Sequence, residues 1–436
     1  YEIMPSLVGS EMCIRDRDMA EKLMQFFYSL KESDITSLDI FLEKGMPYTE
    51  VTRSGNVDYV ITQFLSGVSI MTIDGFDECL LIDCRTYPMR SVSEPWKDRV
   101  LRGSRDGFVE TLVSNAALLR RRIRDPRFSM ELYGVGRRSR SDVAICYISD
   151  SVDQSVLNRM RKLIQSIDVD ALTMNIESLA ECMFTHKWIN PFPKFKYSER
   201  PDTATAAILD GNIVIMVDNS PAVMIIPASI FDIIEEADDF NFSPMIGSYL
   251  RITRFFFSIV TWILTPLWLL FVNNPDWVPE FMKFVLITDD ITVPVLLQLL
   301  ILELAVDGLK LAAVNTPTML STPLSIVAGI VVGEYAVSSG WFNPEALLYM
   351  AVVTVGTYGQ TNFEMGYAFK FLRVLTLILT QIFNLGGFIA GVVISVLMIA
   401  FNRTITGKSY IYPLIPWDGK MLKRKVLRVR PVSYTH

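Results

Sequence analysis

Apolar residues are concentrated in the C-terminal part of this chain. Residues 18–250 mix charged positions with short apolar stretches, as water-soluble proteins do, whereas residues 251–403 contain a series of long hydrophobic runs. The first run, residues 255–272, has no charge over about 18 positions, roughly the length of a helix that crosses the hydrocarbon core of a bilayer. The pattern predicts an α+β soluble region followed by an all-α helical transmembrane domain.

Two stretches of the soluble region, residues 65–82 and 209–226, predict β-hairpins. Each has apolar β-forming residues, then a turn (Asp74-Gly-Phe-Asp77 or Asp218-Asn-Ser-Pro221), then a second apolar strand. Interpreted as an internal repeat, they divide the region into two related α/β subdomains, residues 18–150 and 151–250. The alternative, that two unrelated hairpins resemble each other, stays open.

Between the hairpins, helical periodicity predicts an amphipathic helix over residues 106–125, with Ser104 or Asp106 as its N-cap. A strand over residues 142–148 and a second amphipathic helix over residues 153–167 follow. The predicted buried face of the first helix consists of Phe108, Leu112, Ala116, Leu119 and Ile123.

Arginines cluster around the first predicted helix. With one aspartate they form a candidate cytoplasmic motif: Arg102, Arg105, Asp106, Arg120, Arg121 and Arg122. One interpretation is a docking face for the anionic inner leaflet or for an acidic partner. The preferred interpretation is a solvated helix end, stabilised by the helix dipole and by ion pairs with Asp106, Glu110 and Asp125.

The hydrophobic runs predict four membrane crossings, over residues 255–272, 319–337, 345–361 and 374–401. The last run has Gly386, Gly387 and Gly391 midway, and two crossings of about a dozen residues each would be too short. It therefore predicts one tilted or kinked helix. The apolar run at residues 293–306 is short and ends in charges, so it predicts a re-entrant or interfacial helix near residues 293–309.

Basic residues set the predicted orientation. The tail at residues 404–430 is basic, as are Arg251 and Arg254, and the positive-inside rule places them in the cytoplasm. Residues 18–30 lack the pattern of a secretory signal, so the soluble region is expected in the cytoplasm too. Two cytoplasmic ends require an even number of crossings, which four satisfies. Lys310, Lys370 and Arg373 then lie outside.

Ionisable groups in an apolar environment are candidates for function, because each is costly unless it faces protein or water. Glu303 and Asp307 lie four apart on one helical face, and Glu334 lies in the second predicted crossing. These three residues are the candidate ion pathway. In the alternative interpretation, Asp307 pairs with Lys310 at an interface and Glu334 extends to the headgroups.

Composition narrows the function classes. The net charge of -6 and the pI of about 5.3 argue against a nucleic-acid-binding protein. The chain has two histidines and no P-loop, GxGxxG, HExxH or GxSxG motif, so we expect no enzyme, no cofactor and no metal site. The cysteine spacing predicts reduced thiols. Residues 1–17 and 431–436 have the pattern of translated sequencing-adapter read-through and are excluded from the fold prediction.

Several motifs resemble the A-subunit family of spore germinant receptors. They are Arg85-Thr-Tyr-Pro88, Arg102-Gly-Ser-Arg-Asp-Gly-Phe-Val-Glu110, Trp188-Ile-Asn-Pro-Phe-Pro193, Glu199-Arg-Pro-Asp202 and Gly247-Ser-Tyr-Leu-Arg251. The Arg-Thr-Tyr-Pro and Asn-Pro-Phe-Pro stretches are more similar to the stage V sporulation AF branch than to the nutrient-receptor branch. Residues 356–363 depart from the family, in which Pro-Ser-Tyr-Glu is more usual.

The resemblance implies a multi-pass protein of the spore inner membrane that acts in germination. It implies an ion-channel component that assembles as a homo-oligomer with a transporter-like B subunit, a lipoprotein C subunit or other germination proteins. In the AF branch it implies release of ions and of dipicolinic acid. Four crossings are too few to enclose a pore alone, which agrees with a ring of copies. The alternatives are a secondary transporter of a small anion, for which no inverted repeat is visible, and a non-conducting scaffold subunit.

Overall fold

The computed structural model describes residues 25–26, 28, 37–43, 51–65, 68–73, 75–83, 90–95, 97–184, 190–288, 292–315 and 329–428. Residues 1–88 and 89–436 form two compact units. The expected adapter segments, residues 1–17 and 431–436, and the motif at residues 85–88 lie outside the described residues.

The first unit contains a small antiparallel sheet with the strand order β1-β3-β2. Its elements are α1 (Leu38–Glu43), β1 (Val51–Ser54), α2 (Val57–Leu65), β2 (Ser69–Met71) and β3 (Cys79–Ile82). Ser69 of β2 lies opposite Ile82 of β3, which confirms the first predicted hairpin. Leu80 of the central strand is fully buried against Phe26 and Phe41, and this burial of apolar surface stabilises the unit.

The second unit begins with an α/β region at residues 90–241, which we call the head. Its elements are α3 (Leu112–Arg122), β4 (Phe128–Val135), β5 (Ser141–Ile148), α4 (Gln154–Gln165), α5 (Ile176–Met183), β6 (Lys196–Ser198), α6 (Pro201–Leu209), β7 (Ile213–Val217), β8 (Val223–Ile226), α7 (Ile230–Ile234) and α8 (Asp238–Asn241). The strands form an antiparallel sheet in the order β4-β5-β7-β8-β6. Helices cover both faces, so β7 and β8 are buried along their whole length.

This sheet crosses the predicted subdomain boundary at residue 150. β5 pairs with β7, with Val143 opposite Val217, so strands from both sides of residue 150 share one hydrogen-bonded ladder. The second predicted hairpin, β7 and β8, is confirmed, but it continues this ladder instead of starting another sheet. The division into α/β subdomains at residue 150 is therefore wrong.

The first predicted helix is shorter than its periodicity suggested. It begins at Leu112 after Thr111, and neither Ser104 nor Asp106 caps it. The side-chain amide of Asn115 bonds to the N–H and the carbonyl of Val109 (2.8 and 2.6 Å), which holds the preceding segment extended. The predicted apolar face is nonetheless buried, apart from Ala116, which is half-buried.

The second predicted helix of the head, α4, is confirmed, with its N-cap at Asp153. The Asp153 carboxylate accepts from the N–H of Ser155 at 3.0 Å.

The remainder of the second unit is mostly helical, and we call residues 244–400 the helical half. Its long helices are α9 (Pro244–Asn273), α10 (Val295–Asn315), α11 (Pro344–Tyr358) and α12 (Phe363–Ala400). By length and composition, Pro244–Asn273 and Phe363–Ala400 are able to cross a membrane. The predicted crossing at residues 319–337 lies partly outside the described residues, which resume with a π-helical turn, Gly329–Tyr335.

The long helices run between two ends. At the head end, Phe255 of α9 packs against Phe231 of the head, with ring centroids 5.4 Å apart. At the opposite end, which we call the far end, the side-chain amides of Asn274 and Asn384 exchange hydrogen bonds of 2.6 and 2.9 Å. α9 therefore runs away from the head, and the α12 residue Asn384 lies at the far end.

α10 runs back from the far end toward the head. Near its start Gln298 donates to Asn343 at 2.7 Å, and later in the helix Glu303 bonds to Arg373 of α12. Its 21 residues span about 31 Å at the helical rise, so the helix extends past the predicted residues 293–309 to Asn315. Its re-entrant or interfacial placement stays a prediction. The helix continues through Glu303, Asp307 and Lys310 because each charge has a partner.

α12 is a helical hairpin, not the single tilted or kinked helix predicted from residues 374–401. Asn384 has a non-helical backbone (φ 52°, ψ -129°), and the chain reverses there. A Cβ atom on Gly391 would lie 2.9 Å from the Cα of Thr376, although about 22 Å of straight helix would separate them. We call residues 363–383 the first arm and residues 385–400 the second arm.

The second arm returns the chain to the head, where residues 401–428 form the tail. The tail contains a bridge between Arg403 and Ser409 and the helix α13 (Gly419–Val426). Lys194 of the head donates to the carbonyl of Arg403 at 2.8 Å. Head and tail therefore lie at the same end of the helical half.

Candidate functional site

Five charged side chains lie together between α10 and the first arm of α12, and we call them the interhelix cluster. They are Glu303, Asp307, Lys310, Lys370 and Arg373. The α10 members are spaced four and three residues apart and the α12 members three apart, which puts each set on one helical face. The facing sides of the two helices therefore carry complementary charges.

Glu303 and Arg373 form the most buried pair of this cluster. Arg373 Nε donates to Glu303 Oε1 at 2.5 Å, and the two side chains are 6% and 3% exposed. Arg373 also donates to the backbone carbonyl of Thr261 in α9, so the guanidinium bonds to two neighbouring helices. A charge this deeply buried requires such partners, since removing it from water is costly.

The remaining members extend this pair into a row of alternating charge. Lys370 lies 3.6 Å from the Glu303 carboxylate and bonds to Asp307, and Lys310 lies 4.0 Å from Asp307. The Lys310 ammonium also lies over the rings of Tyr358 and Tyr367, at 5.2 and 5.6 Å from their centroids. Three cations thus face two carboxylates, so the row carries a net positive charge.

Two of the three predicted pathway residues come together here. Glu303 and Asp307 share Lys370, whereas Glu334 is exposed and makes no ion pair with any residue that the structure describes. The predicted topology puts Lys370 and Arg373 outside the membrane, without a role as partners of Asp307 and Glu303. Their spacing of three, matching that of Asp307 and Lys310, was the signal for a shared interface.

A second set of ion pairs, which we call the junction cluster, lies where the head meets α9. Arg251 donates to Glu235 at 2.8 Å, and its Nε lies 3.5 Å from Asp239, which is fully buried. Arg254 pairs with Asp239 and with Glu236. Burial raises the pKa of Glu236 above its ordinary value, although Arg254 opposes this.

The tail is attached to the same junction. Arg251 donates to the backbone carbonyls of Arg424 and Lys425, both at 3.1 Å, at the C-terminal end of α13. The Lys425 ammonium pairs with Asp232 and lies 3.9 Å from Glu235. Burial alone would lower the pKa of Lys425, but these carboxylates outweigh it and raise it to about 12. The tail therefore docks as a cation.

Gly247 allows this close approach. A Cβ atom there would lie 2.1 Å from the carbonyl oxygen of Asp239 and 2.8 Å from the Arg428 side chain. A side chain at position 247 would separate α9 from the head, so the residue type is required by contact and not by backbone conformation.

The candidate cytoplasmic motif divides into paired and exposed residues. Arg122 donates to Asp106 at 2.6 Å, and Arg120 donates to the carbonyl of Phe128 at 3.1 Å. Arg102, Arg105 and Arg121 are exposed. The local ion pairs of the preferred interpretation are thus found at Arg122, whereas Glu110 pairs with Arg90 and Asp125 with Arg127.

Within the described ranges, no group of three or more His, Cys, Asp or Glu side chains is arranged to hold a metal ion. Cys79, Cys146 and Cys182 are free thiols, and burial raises the pKa of Cys146.

Comparisons with known proteins agree with the motifs. The family model for the Bacillus/Clostridium GerA spore germination protein matches residues 6–435. Stage V sporulation protein AF of Bacillus subtilis (strain 168) is 36% identical over 398 residues, which cover 91% of this chain and 80% of that protein. Spore germination protein GerLA of Bacillus cereus is 26% identical, with 92% of this chain and 82% of that protein covered.

One solved structure is also similar in sequence over part of the chain. The crystal structure of the N-terminal domain of the A subunit of the Bacillus megaterium spore germinant receptor GerK3 is 31% identical. The match covers 27% of this chain and 93% of that structure, with a TM-score of 0.22. Given the family match over nearly its whole length, the chain belongs to the GerA family of spore germination proteins.

Proposed function

We propose that this chain is a membrane subunit of a spore germination complex and that several copies form an ion-conducting ring. In this proposal the helical half is a multi-pass domain in the spore inner membrane, and the head and tail lie in the cytoplasm. Transporter-like B subunits, lipoprotein C subunits or other germination proteins are its partners. Its role is to promote the release of ions and of dipicolinic acid during germination, without enzymatic activity.

The interhelix cluster is the observation that carries the proposal. Charges in an apolar layer are retained when they line a path or pair across a moving contact, because otherwise their burial is costly. Here Glu303 is neutralised by Arg373, and Asp307 by Lys370. We infer a closed state in which these pairs fasten α10 to the first arm of α12. Separation of the helices would expose the charges to permeating ions.

A flux assay on the full chain tests this proposal. The protein is reconstituted in liposomes, and potassium flux is measured with and without an applied potential. Glu303→Gln removes the charge that pairs with Arg373. We expect basal flux to rise about tenfold if this ion pair stabilises the closed state by about 1.4 kcal/mol. Glu334→Gln is the matched control, since Glu334 is exposed and outside the cluster.

The same assay contains the outcome that would refute conduction. Correctly folded oligomers that pass no ion, either as wild type or as Glu303→Gln, at any potential, would leave the scaffold alternative. A protein that is monomeric in detergent and in liposomes, and that still conducts ions across the liposome membrane, would contradict the ring.

One observation favours a second candidate, a secondary transporter of a small anion. The interhelix cluster holds three cations against two carboxylates, and an excess of positive charge attracts anions. Counterflow separates the two functions. A transporter exchanges labelled anion against unlabelled anion and saturates, whereas a channel dissipates the gradient without exchange.

A further inference from the structure

The tail carries a face that no described part of the chain covers. In α13, residues spaced three and four apart divide between two sides. Leu422 and Val426 pack against the apolar cluster at the junction, and Lys425 faces Asp232. Lys420 and Lys423 are exposed on the opposite side.

Three exposed apolar residues lie just before α13 in the chain. Leu414, Ile415 and Trp417 are 40%, 53% and 71% exposed. An indole next to basic residues is typical of segments at a membrane–water interface, where the ring lies among the headgroups. If these three side chains faced water, their apolar area would stay hydrated, whereas insertion at a membrane surface would bury it.

The tail helix α13 lies beside the head end of the helical half. Leu422 and Val426 pack against the same buried apolar cluster as Phe255 of α9 and Met398 and Ile399 of the second arm. These residues are where the apolar helical half ends and the head begins. A membrane surrounding the helical half would therefore have its surface beside α13.

The charge balance of the tail is strongly one-sided. Residues 404–428 contain six basic residues and one acid, Asp418. Asp418 caps α13 by accepting from the N–H groups of Lys420 and Met421, both at 3.1 Å. Neither Lys420 nor Lys423 has a carboxylate partner among the residues that the structure describes.

We propose that this exposed side, formed by Leu414, Ile415, Trp417, Lys420 and Lys423, docks on anionic phospholipid headgroups. The lysines supply the attraction to negative charge, and the apolar residues insert beside them. The proposal rests on the proposed function in one respect, that the helical half lies in a bilayer. It adds a lipid preference to the tail that holds the junction.

Quenching of Trp417 by brominated lipids tests this docking. The full chain is placed in nanodiscs of phosphatidylcholine alone, or of phosphatidylcholine with increasing phosphatidylglycerol. Each measurement is paired with the same protein carrying Trp417→Phe, so the difference reports Trp417 alone. We expect Trp417 to be quenched as phosphatidylglycerol is added. Lys420→Gln and Lys423→Gln should each weaken this response about fivefold.

Lys408→Gln should leave the response unchanged, because Lys408 pairs with Asp153 of the head at 3.4 Å. Trp417 that stays unquenched in anionic nanodiscs, or is quenched equally without phosphatidylglycerol, overturns the docking proposal alone. So does quenching abolished by inorganic phosphate at constant ionic strength, which would identify a free-anion site. A chain that cannot be incorporated into nanodiscs overturns the membrane part of the proposed function as well.

Discussion

The junction cluster and the interhelix cluster both contain buried charges, but their ion pairs are arranged differently. In the junction cluster the partners lie close in sequence, within residues 235–254, and Asp239 is shared by two arginines. In the interhelix cluster the partners lie 70 residues apart, and the Glu303–Arg373 pair depends on the packing of two helices. At the junction each arginine has a second carboxylate, Glu235 for Arg251 and Glu236 for Arg254. Among the described residues, Arg373 forms an ion pair with Glu303 alone. Under the proposed function, we therefore expect the junction to stay closed while the interhelix pair separates.

The largest expected effect is at Arg373. Arg373→Leu leaves the Glu303 carboxylate buried beside Lys370 alone, and we expect a loss of about 3–5 kcal/mol in stability. Adding Glu303→Met should restore most of this loss, since an apolar pair of similar volume needs no partner. Thermal unfolding of the purified protein in detergent measures both variants. If the double variant is as unstable as the single one, the pair is required for folding and the proposed separation of the helices is wrong.

At the junction we expect a smaller loss. Asp239→Asn removes the shared carboxylate, but Glu235 still binds Arg251 and Glu236 still binds Arg254. The expected cost is about 2 kcal/mol, the range of a charged hydrogen bond. The same unfolding assay checks it, with the exposed Asp168→Asn as a control for loss of one carboxylate. A cost equal to that of Arg373→Leu would remove the distinction between the clusters.

The partly exposed ion pair between Arg161 and Glu131 in the head should contribute least to the free energy of unfolding. Arg161, Tyr147 and Tyr133 donate to the Glu131 carboxylate, and hydrogen bonding to Arg161 is the main cause that lowers the pKa of Glu131 from 4.5 to about 2. For Glu131→Gln we expect a loss of about 1 kcal/mol at neutral pH. Because the folded-state pKa is depressed, this contribution is present above pH 4.5 and is lost as the pH falls toward 2. The difference in Tm between wild type and variant should close over that interval, and a constant difference would contradict the assignment.

The head was largely predictable because its strands are short apolar runs with turn residues between them, as at β7 and β8. Pairing of β5 with β7 was not, since no local pattern specifies which strands become neighbours. The start of α3 was also missed. The bond from Asn115 to Val109 competes with helix formation, and such a bond follows from a folded loop and not from periodicity.

In the helical half, one cause explains why two helices are longer than predicted. Charges at Glu303 and Asp307 made α10 look too short, and charges at Lys370 and Arg373 made the first arm of α12 look as if it began at residue 374. The charges on each helix are paired by charges on the other, and a single sequence does not show that the two helices pack together.

The docking of Lys425 on Asp232 closes a loop of 193 residues. For a flexible chain, bringing such distant positions together costs about 5 kcal/mol of conformational entropy, on a scale that grows only slowly with length. Formation of the intervening helices brings the chain back to the head and so shortens the loop that tail docking must close. We therefore expect tail docking to be a late event in folding, which makes an occupied Asp232 a sign that the helices between are in place.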